Sequence, residues 1–256
     1  MTRVADCAVA VTVSEHGSIA TLTLGTGRRF NALGIDAWRA LDSAATALAT
    51  ESSLRAVVIR GAGGVFCSGA DLREWDGASA DQVTESFAVL EGALQAVENI
   101  PVPTVAVIEG VATGGGCQLA LACDLQLTSS AARLGMPIAR LGILVPPSFA
   151  NRLSLRIGPS RAKDLLYGSR LLSGQQAADM GLITTVVAED DLDAALAGLL
   201  AGWEPLSAAS LRAAKAAVDL GLRSVSQPAR QAPVGLASDP DEFSSRVDAF
   251  LNRKGV

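Results

Sequence analysis

Gly110-Val111-Ala112-Thr113-Gly114-Gly115-Gly116-Cys117-Gln118-Leu119 is the stretch on which the fold turns. It follows an apolar run, Thr104–Ile108, that reads as a buried strand, and it leads into a short helical segment, Cys117–Ala122. Another strand, Asp124–Thr128, comes directly after. Glycine lets a ligand approach the backbone closely, and a helix N-terminus offers unpaired N–H donors at the positive end of the dipole. Taken alone, a glycine cluster between strand and helix is most often a tight turn. A second such loop, Phe66-Cys67-Ser68-Gly69-Ala70-Asp71-Leu72, also follows a β-branched strand, Leu54–Arg60, with Gly61-Ala62-Gly63-Gly64 between them. The pair is far more specific than either member.

Outward from these loops, strands and helices alternate. Two alternating runs near Val9–Val13 and Ser18–Leu24, separated by His16-Gly17, predict a β-hairpin. Ile35 to Ala49 carries Trp38, Leu41, Ala45 and Leu48 at helical spacing, and Asp81 to Ile100 reads as a long amphipathic helix closed by Pro101-Val102-Pro103. Alternation of this kind implies an α/β architecture with helices packed outside buried strands. The segments share no repeated sequence signature. From about Pro146 strands nearly vanish. Helical patterns run through Ser148–Leu155, Ser160–Leu166, Ser173–Met180, Asp191–Ala201 and Ser207–Leu220, with Ser173 as an N-cap and Gly181 just past a helix end. Ser224–Pro240 reads as a linker before a last helix, Glu242–Arg253. The expected division is a core over residues 1–200 and a helical region over 201–256.

Bulk properties exclude several classes of function. The length of 256 residues suits one large domain or a core with a smaller appendage. With a net charge of −5, the chain has no bulk field to attract nucleic acid, and an anionic ligand would need a local basic site. Mean hydropathy is +0.34, yet no window approaches the length of uninterrupted apolar residues that a membrane span needs. Met1 to Ala10 lacks the apolar core of a signal peptide, which predicts a cytoplasmic protein. Cys7, Cys67, Cys117 and Cys123 form no CxxC pair, and with His16 the only histidine neither a metal site nor a Ser-His-Asp hydrolase is expected. GxxxxGK[ST], GxGxxG spacing and a GxSxG elbow are all missing.

With Arg29-Phe30-Asn31-Ala32-Leu33 upstream, the order of the two loops resembles the crotonase (enoyl-CoA hydratase/isomerase) superfamily. The resemblance continues through Gly116 to Leu125, Leu171-Leu172-Ser173-Gly174-Gln175-Gln176-Ala177, Gly181-Leu182-Ile183 and Asp248 to Arg253, covering most of the chain. It implies a spiral of ββα turns followed by a helical trimerisation region, giving a homotrimer or a dimer of trimers. It also implies an acyl-CoA thioester as ligand, with no separate cofactor. By this resemblance the two oxyanion-hole N–H groups fall at Ser68 and Gly115, and Asn31 is a structural turn residue. Arg29, Ala32 and Ala70, with the neighbouring Asp71 and Leu72, would line the CoA groove. Phe250 and Arg253 match positions that reach a neighbouring subunit's adenine and phosphate. A thioester that loses an α-proton or gains a β-nucleophile pushes negative charge onto its carbonyl oxygen, and backbone donors stabilise that enolate.

The chain departs from the family where the family does its proton transfers. In hydratases two glutamates flank a water above the double bond; the matching positions here are Gln118 and Ile138. An amide can orient water but cannot take up a proton near neutral pH, and Ile138 can only pack within the acyl pocket. The aspartate that other members carry in the loop after Gly142 is matched by Pro146, and Tyr167 falls in a later helix. Glu74 and Asp76 have two readings, a displaced acid or a solvated helix start beside an Asp71 held in a salt bridge. Trp75 is expected to shape the acyl pocket. Arg140 is read either as a partner for an acidic acyl group or as half of a surface ion pair. The usual small residue four before the last Phe is Arg246 here.

Three classes of function follow. The first is a crotonase-type enzyme stabilising a thioester enolate, weak as a plain hydratase. The second is a non-catalytic acyl-CoA binding or shuttle protein. The third is a structural subunit of a hetero-oligomer.

Overall fold

The computed structural model describes residues 9–14, 17–231 and 240–252. Among these, the strands are β1 (Val9–Val13), β2 (Ile19–Leu24), β3 (Ala56–Gly61), β4 (Thr104–Ile108), β5 (Val111–Thr113), β6 (Leu125–Ser129), β7 (Arg133–Gly135), β8 (Leu172–Ser173) and β9 (Thr185–Val187). The helices are α1 (Ile35–Thr50), α2 (Ala80–Glu98), α3 (Gly115–Ala122), α4 (Pro147–Gly168), α5 (Gly174–Met180), α6 (Leu192–Trp203), α7 (Ala208–Gln231) and α8 (Pro240–Leu251). This is an α/β architecture of strands and covering helices, with helices at its C-terminal end. No helix of the described residues is long and apolar enough to cross a membrane. The predicted turn at His16 and the thiol of Cys7 lie outside the described residues.

The main sheet has the order β1-β2-β3-β4-β6-β9. β1 and β2 form the predicted antiparallel hairpin, pairing Val9 with Leu24 and Val13 with Ala20, and every later neighbour in this sheet is parallel. Parallel strands covered on both faces read as unbroken apolar runs, and the two-residue period still sorts their side chains. Val57, Ile59, Ala106 and Ile108 enter the main core with α1 and α2, whereas Val58, Val105 and Val107 point to the opposite face. There Leu192, Ala195, Leu199 and Trp203 of α6 cover them.

A smaller sheet, β5-β7-β8, runs beside the first and carries the second glycine loop. Beyond Pro146 only β8 and β9 remain among the described residues, two and three residues long, in keeping with the expectation that strands nearly vanish there, whereas β5 and β7 were not foreseen. Runs of two or three residues are too short to show a period, and they exist because a neighbour supplies the ladder. The break between helices Ser148–Leu155 and Ser160–Leu166 is present as Gly158 (φ 77°, ψ 160°) followed by Pro159, inside α4. α5 begins at a capping box between Ser173 and Gln176 and ends at Gly181 with φ 83°.

The linker expected over Ser224–Pro240 is overturned as far as Gln231, because α7 continues through it with Pro228 in its last turns. Ser, Gln and Pro made that stretch look irregular, but α7 is anchored to the core along its length. Lys215 reaches Asp124 at 2.9 Å, Arg212 donates to the Leu54 carbonyl at 2.8 Å, and Arg230 pairs with Glu98. Residues 232–239 lie outside the described residues.

Candidate functional site

The two glycine loops are joined edge to edge. Cys67 N–H donates to the Val111 carbonyl at 2.9 Å, and Thr113 N–H returns a bond to the Cys67 carbonyl at 3.1 Å. The Thr113 hydroxyl donates to the Ser68 carbonyl at 3.0 Å. Close contact requires glycine at two points: a Cβ on Gly116 would sit 2.0 Å from the Cys67 oxygen, and one on Gly69 would sit 2.9 Å from the Gly115 nitrogen.

A third segment, Arg28–Asn31, completes the site. Arg29, Phe30 and Asn31 all have φ between 50° and 53°, the left-handed region that non-glycine residues seldom enter. Asn31 holds that turn. Its Nδ2 donates to the carbonyls of Ala62 at 2.9 Å and Val65 at 2.6 Å, and its Oδ1 accepts from Gly27 N–H at 2.8 Å. The turn aims the Phe30 carbonyl at Ser68 N–H, 2.9 Å away. Ser68 therefore cannot offer its N–H to a ligand, which corrects the assignment made from sequence order.

The donor that remains is Ala70. Leu33 N–H bonds the Gly69 carbonyl at 2.8 Å and Asp71 N–H bonds the Leu33 carbonyl at 3.0 Å, a parallel bridge. In that pattern the flanking groups face the partner strand, so the N–H of Ala70 itself faces away from Leu33. It has no protein acceptor among the described residues, and Ala70 is half-buried. Beside it Gly115 is the first residue of α3, so its N–H has no intrahelical acceptor and stands at the positive end of that helix. The two donors lie on segments that touch, since a Cβ on Gly69 would sit 2.9 Å from the Gly115 nitrogen, and one of them opens a helix.

Arg29, Ala32, Asp71 and Leu72 gather at the mouth of this site. Arg29 pairs with Asp71 at 3.1 Å while its own side chain stays 59% exposed, so it can still meet a solvent-borne anion. Asp71 also caps the turn at Leu72–Trp75 through Arg73 N–H. Leu72 packs on the main core. Glu74, a candidate displaced acid, accepts the Ile35 N–H at 2.8 Å and so caps α1, whose N-cap position is Gly34 with no side chain to do so. Asp76 and Arg140 are exposed, and Tyr167 is 79% exposed. Arg246 pairs with Glu242 and packs beside Gly142.

One helical turn beyond Gly115, Gln118 is wholly buried. Its Nε2 donates to the Phe149 carbonyl at 3.4 Å and lies 3.5 Å from the Met136 sulfur, while its Oε1 has no partner. Ile138 is buried nearby in the turn Pro137–Leu141, on which α8 packs. The N-terminus of α4 beside Gln118 is pinned by ions: the Ser148 hydroxyl donates to Glu91 at 3.0 Å, and Arg152 grips Glu91 at 2.7 Å and Glu98 at 2.6 Å. Burial pushes the Glu91 carboxyl up, but the hydrogen bonds and charge of Arg152 outweigh it and hold the group below its ordinary range. Phe250 lies on α8 at the edge of exposure, and Arg253 lies outside the described residues. Cys67, Cys117 and Cys123 are buried and unpaired, and burial pushes each thiol up to about 12. They are packing groups, not nucleophiles.

The pattern of the family described as enoyl-CoA hydratase/isomerase matches residues 14–254. Methylglutaconyl-CoA hydratase, mitochondrial, of Mus musculus is 35% identical over 215 residues, covering 81% of this chain and 68% of that protein. The Bacillus subtilis (strain 168) protein YngF, named for enoyl-CoA hydratase/isomerase, is 32% identical over 95% of this chain and 91% of its own. Among solved structures, an enoyl-CoA hydratase from Mycobacterium avium subsp. paratuberculosis K-10 superposes with a TM-score of 0.86 at 25% identity, covering 96% of each chain.

Proposed function

The chain belongs to the enoyl-CoA hydratase/isomerase family, and on that premise we propose that it binds an acyl-CoA thioester whose carbonyl oxygen rests between the N–H groups of Ala70 and Gly115. The observation that carries this reading is the unpaired Ala70 donor beside the first N–H of α3, with Ser68 N–H already engaged by Phe30. Charge developing on the thioester oxygen meets donors whose orientation is already set. One such donor is worth about 3–4 kcal/mol of transition-state stabilisation. Arg29 supplies the local cation that an acidic protein needs for an anionic CoA, with Ala32, Asp71 and Leu72 bordering the groove.

Gln118 and Ile138 stand where we read the two carboxylates of hydratases to lie. Neither can exchange a proton near neutral pH, so plain hydration is weak and the reaction is an enolate chemistry that draws its acid or base elsewhere. A second reading, a non-catalytic acyl-CoA carrier, is favoured by the same two residues. The protein acts as a homotrimer or a dimer of trimers. Val218, Leu220 and Val225 of α7 are 63%, 62% and 52% exposed, apolar surface of the kind that assembly covers. Residues 1–200 make the spiral core and 201–256 the helical region, whose helix α8 carries Phe250 toward a neighbour's CoA.

Crotonyl-CoA hydration, followed by ultraviolet loss, tests the reading alongside calorimetric binding and the 13C resonance of the thioester carbonyl. Binding with a downfield carbonyl shift and slow wild-type turnover is expected, with hydration gained in Gln118→Glu/Ile138→Glu. Rapid wild-type hydration would refute the role given to these two residues. Absence of binding would refute the site.

A further inference from the structure

Four buried aromatic residues from four segments form one continuous wall. Phe243 of α8 faces Trp75 at 6.1 Å, Trp75 stacks on Phe87 of α2 at 5.2 Å, and Phe87 faces Phe149 of α4 at 6.2 Å. All these separations lie in the range of attractive ring contact. Their exposures are 7%, 5%, 5% and 2%, so the wall is closed in the unliganded chain.

The wall meets the candidate site at two points, through Phe149 and beside Phe87. Phe149 receives the Gln118 amide on its carbonyl oxygen. Leu90, one turn after Phe87 on α2, lies so close to Gly115 that a Cβ there would meet its Cδ1 at 2.8 Å. Phe243 is the one member delivered by the C-terminal helix. Val247, one turn on, is 1% exposed, and α8 packs against both Leu72–Trp75 and Pro137–Leu141, the second of which carries Ile138.

We propose that Phe243 sets the depth of the acyl subsite, closing the aromatic wall so that the site takes short acyl groups and rejects long ones. The inference rests on the acyl-CoA reading above and adds the class of acyl group. An acyl chain leaving a carbonyl held at Ala70 and Gly115 runs toward Leu90 and Gln118, where Trp75, Phe87 and Phe149 are locked by core elements. Phe243 fills the remaining side from a separate helix. A long chain would have to displace that ring from Trp75, losing its buried contacts.

The test is calorimetric titration of wild type, Phe243→Ala and Phe243→Leu with butyryl-CoA and octanoyl-CoA. The CoA moiety is common to both ligands, so its contribution cancels in the affinity ratio. Wild type is expected to favour butyryl-CoA. Phe243→Ala should shift the ratio toward octanoyl-CoA by roughly tenfold, the factor that about two buried methylenes supply. Phe243→Leu, which keeps an apolar side chain on α8, should fall between and preserves the test if the alanine variant fails to fold. Wild type favouring octanoyl-CoA, or folded variants with an unchanged ratio, would overturn the role of Phe243 while leaving the acyl-CoA reading intact. Wild type binding neither thioester would overturn both.

Discussion

Gly116→Ala should pry the two glycine loops apart. The added Cβ would stand 2.0 Å from the Cys67 oxygen and 2.7 Å from its carbonyl carbon, and both are backbone atoms that cannot rotate away. Relief to the 3.4 Å of ordinary contact needs a displacement of about 1.4 Å. That movement would break or stretch the Cys67–Val111 and Thr113–Cys67 bonds, now 2.9 and 3.1 Å. Overpacking of this kind costs about 1–3 kcal/mol, which for a chain of this size lowers the melting temperature by about 2–12 °C. The functional loss should be larger in proportion. Gly115 N–H rides on the displaced helix start, and a misplacement of about 1 Å can cost roughly a hundredfold in rate. Gly92→Ala is the control: its Cβ meets nothing within 4 Å on α2, so helix propensity should raise stability by up to about 1 kcal/mol. Thermal unfolding and thioester binding, read together on the two variants, decide the matter. Gly116→Ala matching Gly92→Ala in both would refute the reasoning.

Other perturbations probe the ionic and thiol groups. Arg152→Met should destabilise by about 3–5 kcal/mol in urea titrations, since it strands the Glu91 carboxylate, 12% exposed, without its cation. Adding Glu91→Leu should restore most of that loss, because Glu98 still has Arg230; a double variant no better than the single one would refute the pairing argument. Glu91 has a lowered native pKa, so its contribution is complete above the ordinary 4.5 and disappears as pH falls through the lower native value. Glu91→Gln should flatten that part of the acid stability profile. Cys67, Cys117 and Cys123, with thiols raised to about 12, should resist iodoacetamide at pH 8 in the native protein and react on unfolding, as peptide mass mapping would record.

Much of the fold around the candidate site was legible in the sequence. The helices α1 and α2 announce themselves by period, because each buries one regular face over many residues, and β3 and β4 by unbroken apolar runs, because both of their faces are covered. The two glycine loops were recognisable because a Cβ at Gly69 or Gly116 cannot be accommodated, a restriction written into residue type. Asn31 was placed as a turn residue, and its bonds to Ala62 and Val65 give the reason. The short strands β5, β7, β8 and β9 were not legible, since two or three residues carry no period and their pairing comes from distant partners. α7 hid its last turns behind Ser, Gln and Pro, although amphipathic spacing through Arg230 could have revealed them. Glu74 as the cap of α1 had one faint signal, a helix beginning after Gly34, which has no side chain to cap it.

Residue type and local spacing determine which segments become strands, helices and glycine turns here, because those preferences act within a few bonds of each residue. They also determine that Gln118 and Ile138 bring no carboxylate to the site. Which backbone N–H stays free is a different kind of question. Ser68 and Ala70 belong to the same loop and carry chemically equivalent amides, yet Phe30 occupies one and, among the described residues, nothing occupies the other. That choice was made by the left-handed turn at Arg29–Asn31 and the bridge to Leu33, and so by tertiary structure alone. A hydrogen-bond donor is available only in relation to the acceptor that packing brings to it.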